Sequence, residues 1–108
     1  MIHPKKLLER HQLEPRKSLG QNFLFDDQIL NRLCEIARLD KQDRVLEIGA
    51  GLGSLTSHLS ANAGEVIAIE TDRRLMPVLA TELRNCSNVK LIHEDFLRLD
   101  LADCIASP

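Results

Sequence analysis

Three glycines, Gly49, Gly51 and Gly53, lie in the stretch "LEIGAGLGSLT", directly after a short apolar run and directly before a stretch with helical periodicity. Glycine lets the backbone turn with positive φ and lets a ligand approach the chain closely. The first turn of a following helix offers amides with no partner inside the helix. That combination binds the pyrophosphate of a dinucleotide or another nucleoside ligand. Glu70 closes a second apolar run, "EVIAIE", 21 residues after Gly49. A carboxylate there can accept hydrogen bonds from both hydroxyls of a ribose, and Asp72 competes for the role. Asp95 ends a third run, "VKLIHED". An acceptor at that place can take the exocyclic amine of an adenine, with Glu94 as the alternative and Phe96 placed to cover the base. Gly49, Glu70 and Asp95 thus stand at successive strand ends, where parallel sheets bind ligands.

The chemistry of the ligand follows from charge. The dinucleotide pattern G-x-G-x-x-G is not met: the spacing is G-x-G-x-G, and the sixth position is Ser54. Glu47 lies two residues before Gly49. A carboxylate pointing into this crevice repels a pyrophosphate and suits a cation. S-adenosyl-L-methionine carries a sulfonium and an ammonium, whereas NAD carries phosphates, so the expected cofactor is the methyl donor. An NAD-dependent oxidoreductase half-domain is the competing reading, favoured by the acid at the second strand end and opposed by Glu47 and the glycine spacing.

The elements that must position these residues alternate. Ile29, Leu30, Leu33, Cys34, Ile36 and Ala37 recur at helical spacing, which predicts an amphipathic helix over 28–38 with Asp26 or Asp27 as its cap. "RVLEIG" predicts a strand, and "AGLGSLTSHLSANA" a helix with periodicity through Leu55 and Leu59, which Leu52 can extend. "EVIAIE" predicts the second strand. "TDRRLMPVLATELRN" predicts a helix with Leu75, Leu79 and Leu83 in line, which must start near Pro77 or bend there. "VKLIHED" predicts the third strand. Crossovers of this length imply parallel strands with right-handed connections, and Val/Ile/Leu-rich strands imply burial on both sheet faces. The expected fold class is α/β: a parallel β-α-β-α-β portion of a doubly wound, Rossmann-like domain, truncated after its third strand.

With 108 residues the chain can bury one core. No run of 18 apolar residues predicts a membrane span, no signal-peptide core is present, and the expected location is cytoplasmic. Cys34, Cys86 and Cys104 are odd in number and widely spaced, so they read as buried small hydrophobes and not as a disulfide framework or zinc site. Net charge is unevenly spread: residues 1–20 sum to +3 and the rest to −5. The expected organisation is a basic N-terminal arm at 1–19, suited either to nucleic-acid phosphates or to solvent, and a methyltransferase-type domain portion at 20–108. A non-catalytic RNA-binding or assembly module is the further alternative.

The segments "PRKSLGQNFLFD", "VLEIGAGLGSLT", "VIAIETD" and "VKLIHEDFL" together resemble the ribosomal RNA adenine dimethyltransferases, over roughly residues 12 to 98. "GQNFL" is the specific element, since many methyltransferases share the glycine loop and few have this lead-in. The resemblance implies S-adenosylmethionine-dependent dimethylation of N6 on two adjacent adenosines of small-subunit ribosomal RNA, within ribosome biogenesis. It implies cofactor contacts at Asn22, Leu24, Gly49, Glu70 and Asp95. Asn22 offers a donor and an acceptor and Leu24 an apolar cover, while Phe23 and Phe25 can serve as core anchors of the same segment. The family's Asn-Leu-Pro-Tyr/Phe motif, which holds the target amine, has no match in this sequence, so no catalytic residue is assigned. The 108 residues alone are therefore expected to bind cofactor weakly at most, to lack methylation activity and to self-associate.

Overall fold

The structure is a computed structural model and describes Arg10 and residues 26–106, with side chains through Asp103. Helix α1 spans Asp27–Ala37. Asp26 is the cap, its carboxylate accepting from the amides of Gln28 and Ile29. Leu30 and Cys34 point inward and are buried, while Ile29, Leu33 and Ile36 lie on the exposed side. The helix packs chiefly against α2. Arg10 forms an ion pair with Glu82 at 3.8 Å, so one cation of the basic arm is engaged by the chain's own body.

Strands β1 (Arg44–Ile48), β2 (Glu65–Glu70) and β3 (Val89–His93) alternate with α2 (Ser54–Asn62) and α3 (Met76–Glu82). Both pairings are parallel, in the order β1-β2-β3. Two-residue periodicity then assigns faces. Val45, Val66 and Val89 form one row across the sheet, and Glu47, Ala68 and Leu91 the next. These rows face the main core with Leu59 of α2 and Val78 and Leu79 of α3. The opposite rows carry Ile67 and Ile69, which are buried, and Ile48, which is 54% exposed. Burial on both faces, expected of every strand, holds for the central strand β2 and not for β1.

Pro77 sits at the first positions of α3, preceded by a 3-10 turn over Arg73–Leu75. A residue without an amide proton costs nothing there, because that amide has no partner inside the helix. Leu75, Leu79 and Leu83 are all buried, although only Leu79 lies inside α3 itself. Two boundaries differ from the sequence reading. Residues 49–53 form a loop, and α2 begins only at Ser54, because three successive alternate glycines with positive φ cannot be helical. β3 stops at His93, and Asp95 caps a 3-10 turn over Phe96–Arg98. A short helix α4 follows over Leu101–Ala106. Cys34 is buried and free, and burial pushes its thiol pKa up; Cys86 is half-buried and free. No described helix is long and apolar enough to cross a membrane.

Candidate functional site: the glycine loop and the strand ends

The loop from Gly49 to Gly53 leaves β1 at its carboxyl end and enters α2. Its start is pinned to the neighbouring strand, since the amides of Gly49 and Ala50 both donate to the Ile69 carbonyl, at 2.8 and 3.1 Å. Gly53 has φ +87° and stands where a Cβ would come within 3.3 Å of the Leu79 and Leu83 side chains, so both backbone and packing select glycine. Gly49 has φ +82°, but a Cβ there would meet nothing within 4 Å. Glycine at 49 thus satisfies the backbone and also leaves open space beside the chain, as a close-approaching ligand needs. Among the described residues no side chain caps α2, and its first amides have no partner inside the helix.

Glu70 closes this corner. It is 5% exposed. One carboxylate oxygen accepts from the Gly51 amide at 2.8 Å and the other from the Asp72 amide at 2.8 Å. The carboxylate therefore tethers the middle of the glycine loop to the end of β2. Each oxygen retains a lone pair for a further donor, such as a sugar hydroxyl. Asp72, the competing candidate, is buried and committed elsewhere: it accepts from the Arg74 amide and side chain, at 2.9 to 3.2 Å.

Glu47 does not point into an open crevice, as the sequence reading had it. Its row on the sheet faces the α2–α3 core, and the side chain is 7% exposed. There it accepts a hydrogen bond from the Thr56 hydroxyl of α2. Burial pushes the carboxyl pKa up to about 7; the Thr56 bond opposes the rise and the charge of Glu70 adds to it. Sequence reasoning missed Thr56. Its signal was a hydroxyl at a core-facing position, three residues before Leu59 on the helix, where a buried polar group must find a partner.

Asp95 lies two residues beyond β3. Its carboxylate accepts from the Leu97 amide at 3.0 Å and lies 3.9 Å from Arg98, with the side chain 46% exposed. The chain reaches it through two links to β2: the Glu94 amide donates to the Glu70 carbonyl at 3.1 Å, and the His93 ring lies 3.2 Å from the Thr71 carbonyl. Gly49, Glu70 and Asp95 thus share the carboxyl edge of the sheet, in strand order. Asn22 and Leu24 lie outside the described residues.

The acceptors at the strand ends, Glu70 and Asp95, suit the hydroxyls and amine of a nucleoside. Among the described residues the buried acids at this corner are Glu47, Glu70 and Asp72, and the partly exposed Arg74 is held by Asp72. A pyrophosphate in the same place would face the Glu70 carboxylate. No group of three or more His, Cys, Asp or Glu among the described residues is arranged to hold a metal ion.

Comparison with known proteins agrees with this geometry. The profile of the ribosomal RNA adenine dimethylase family matches residues 12–106. Ribosomal RNA small subunit methyltransferase A of Streptococcus gordonii is 48% identical over 102 residues, which are 94% of this chain and 35% of that protein. The chain therefore spans about a third of the length of the curated relatives it matches. Among solved structures, the 23S rRNA methyltransferase ErmE aligns with TM-score 0.68 and 37% identity over 73% of this chain and 32% of its own. The tRNA (m1A58) methyltransferase TrmI of Aquifex aeolicus aligns with TM-score 0.70 and 28% identity, over 87% of this chain and 38% of its own. The fold is the Rossmann-like fold of S-adenosylmethionine-dependent methyltransferases, and the chain belongs to the ribosomal RNA adenine dimethylase family.

Proposed function

We propose that this chain holds S-adenosylmethionine at the carboxyl edge of its sheet and serves the dimethylation of N6 on adjacent adenosines in small-subunit ribosomal RNA. The observation that carries the reading is the Glu70 carboxylate, buried and fixed by the Gly51 and Asp72 amides beside a loop with open space at Gly49. In this reading Glu70 accepts from the ribose hydroxyls and Asp95 from the adenine amine. The amides of the loop and of the α2 N-terminus line the approach at Gly49, while Asn22 and Leu24 contact the cofactor from the lead-in segment. The target base must leave its stack to reach a sulfonium that is already activated, so the protein's main task is alignment. The RNA partner is the small ribosomal subunit, met in the cytoplasm, with the basic arm at 1–19 on its phosphates. Family membership sets the dinucleotide alternative aside.

Isothermal titration of the chain with S-adenosylmethionine and with NAD tests the cofactor. Binding of the former alone is expected, and saturable NAD binding at the loop would overturn the reading. Transfer of labelled methyl groups to unmodified small-subunit particles tests the reaction. Sedimentation of the same samples tests self-association, for which the exposed Ile48 on the outer strand β1 is the support.

A further inference from the structure

Two links join the end of β3 to the residues around Glu70. The Glu94 amide donates to the Glu70 carbonyl at 3.1 Å, and ring nitrogen Nε2 of His93 lies 3.2 Å from the Thr71 carbonyl. The first is a backbone bond that almost any residue can make. The second needs this side chain at position 93. We propose that His93 is a positioning residue for the nucleoside end of the methyl donor: its ring N–H holds the Thr71 carbonyl, so that the Glu70 corner and Asp95 stand at a fixed separation and meet ribose and adenine together. The proposal rests on the reading that Glu70 and Asp95 take those two parts of S-adenosylmethionine.

The placement of His93 ties it to the ligand edge. It is the register partner of Glu70 across the parallel β2–β3 pair, so the two side chains leave the sheet on one face. They do so at the carboxyl edge, where the glycine loop also lies, and both His93 and Thr71 are exposed there. Thr71 separates Glu70 from Asp72, and the Asp72 amide is one of the two donors that fix the Glu70 carboxylate. The ring therefore grips the middle of the turn that orients the ribose acceptor. On its other side the chain runs from His93 through Glu94 directly to Asp95. A carbonyl can only accept, so Nε2 carries the hydrogen. Among the described residues no backbone amide reaches the Thr71 carbonyl, which leaves the turn dependent on the ring. A ligand that touches both acceptors gains when their spacing is set beforehand, because binding need not order them. A ligand that touches only one of them gains nothing from that spacing.

The test is the affinity of the parent chain, His93→Phe and His93→Gln, by titration calorimetry, for S-adenosylmethionine and two analogues of it. One analogue lacks both ribose hydroxyls, and the other carries hypoxanthine in place of adenine. His93→Phe keeps a ring and loses the donor, whereas His93→Gln keeps an N–H. His93→Phe should bind S-adenosylmethionine about fivefold more weakly than the parent, the value of one neutral hydrogen bond, and should bind each analogue as the parent does. His93→Gln should recover most of the loss. Equal weakening for all three ligands would make His93 a merely structural residue and overturn the proposal. So would an unchanged affinity of His93→Phe for S-adenosylmethionine. Nitrogen NMR of the ligand-free parent at pH 8 adds a readout that needs no variant to fold: the ring hydrogen should sit on Nε2, and a neutral ring with its hydrogen on Nδ1 would overturn the proposal by itself. A parent chain that binds no S-adenosylmethionine, with the hydrogen on Nε2, would defeat the cofactor reading and the proposal with it.

Discussion

Glu70 ends β2 and Asp95 follows β3 of the same sheet, and both are acids at its carboxyl edge, but their surroundings differ sharply. Glu70 is 5% exposed and bonded through both oxygens to backbone amides on two different segments. The Asp95 side chain is 46% exposed and bonded to an amide only two residues ahead, with Arg98 loosely near at 3.9 Å. One carboxylate joins distant parts of the chain; the other caps a single local turn. The β2 corner is therefore organised by the fold before any ligand arrives, whereas the β3 end depends on local geometry. A group held by long-range contacts carries stability and binding together, and a group held locally can affect binding with little effect on the fold.

The largest expected effect tests the first half of that contrast. Glu70→Ala removes the acceptor of two buried amides. Charge-assisted bonds contribute about 1.5–3 kcal/mol each, so the loss is roughly 3 kcal/mol or more. For a domain of this size that lowers the melting temperature by roughly 15 °C. Cofactor affinity should fall by more than about tenfold. Glu70→Gln, which keeps an acceptor oxygen, should lie between. Thermal melts and calorimetry decide, and a Glu70→Ala chain as stable as the parent would dissolve the contrast.

Glu47 belongs to the same corner and supplies the next effect, which depends on pH. Its folded-state pKa of about 7 stands above the ordinary value of 4.5. An acid with a raised pKa stabilises the fold while protonated. That contribution is complete below about pH 4.5 and is lost as pH rises through about 7. Glu47→Gln keeps an acceptor for Thr56 and cannot ionise. Its stability relative to the parent should therefore grow between pH 5 and 8, by a total on the order of 3 kcal/mol at most. Denaturant melts at several pH values measure this, and a difference independent of pH would place the Glu47 carboxyl in contact with water.

The same contrast explains what was legible in the sequence. Runs of β-branched and aliphatic residues marked the three strands, and the bounds of β2 coincide with "EVIAIE". Pro77 marked the start of α3 because its missing amide is a purely local fact. The family lead-in and glycine loop were legible as motif. The Glu47–Thr56 bond was not, because it depends on which face of β1 turns toward α2, and alternation within a five-residue strand leaves that open. Asp95 was read as a strand end and proves to be a cap two residues later, since a 3-10 turn leaves no period to detect. The role of Asp72 was open until Arg74 closed it, although an acid followed two residues later by arginine is a capping pattern that local reasoning can find.

The smallest effect tests the second half of the contrast. Asp95→Ala removes the cap of a 3-10 turn, and cap losses cost about 0.5–2 kcal/mol. The low end applies here, because the turn is three residues long and its residues are not buried. The Arg98 pair adds little, since both side chains are well exposed and surface pairs contribute about 0–1 kcal/mol. Stability should thus fall by less than about 1 kcal/mol. Binding should respond differently. If Asp95 accepts from the adenine amine, its loss removes one hydrogen bond to a charged acceptor and weakens S-adenosylmethionine binding by about tenfold. An analogue whose adenine is replaced by hypoxanthine has a carbonyl where the amine stood, so it gains nothing from Asp95 and should bind the parent and the variant alike. Calorimetry with the two ligands against the two chains forms a double-mutant cycle that isolates this one contact. Equal losses for both ligands would mean that Asp95 acts through the turn and not on the base. A destabilisation as large as that of Glu70→Ala would mean that the β3 end is held by the fold as firmly as the β2 corner.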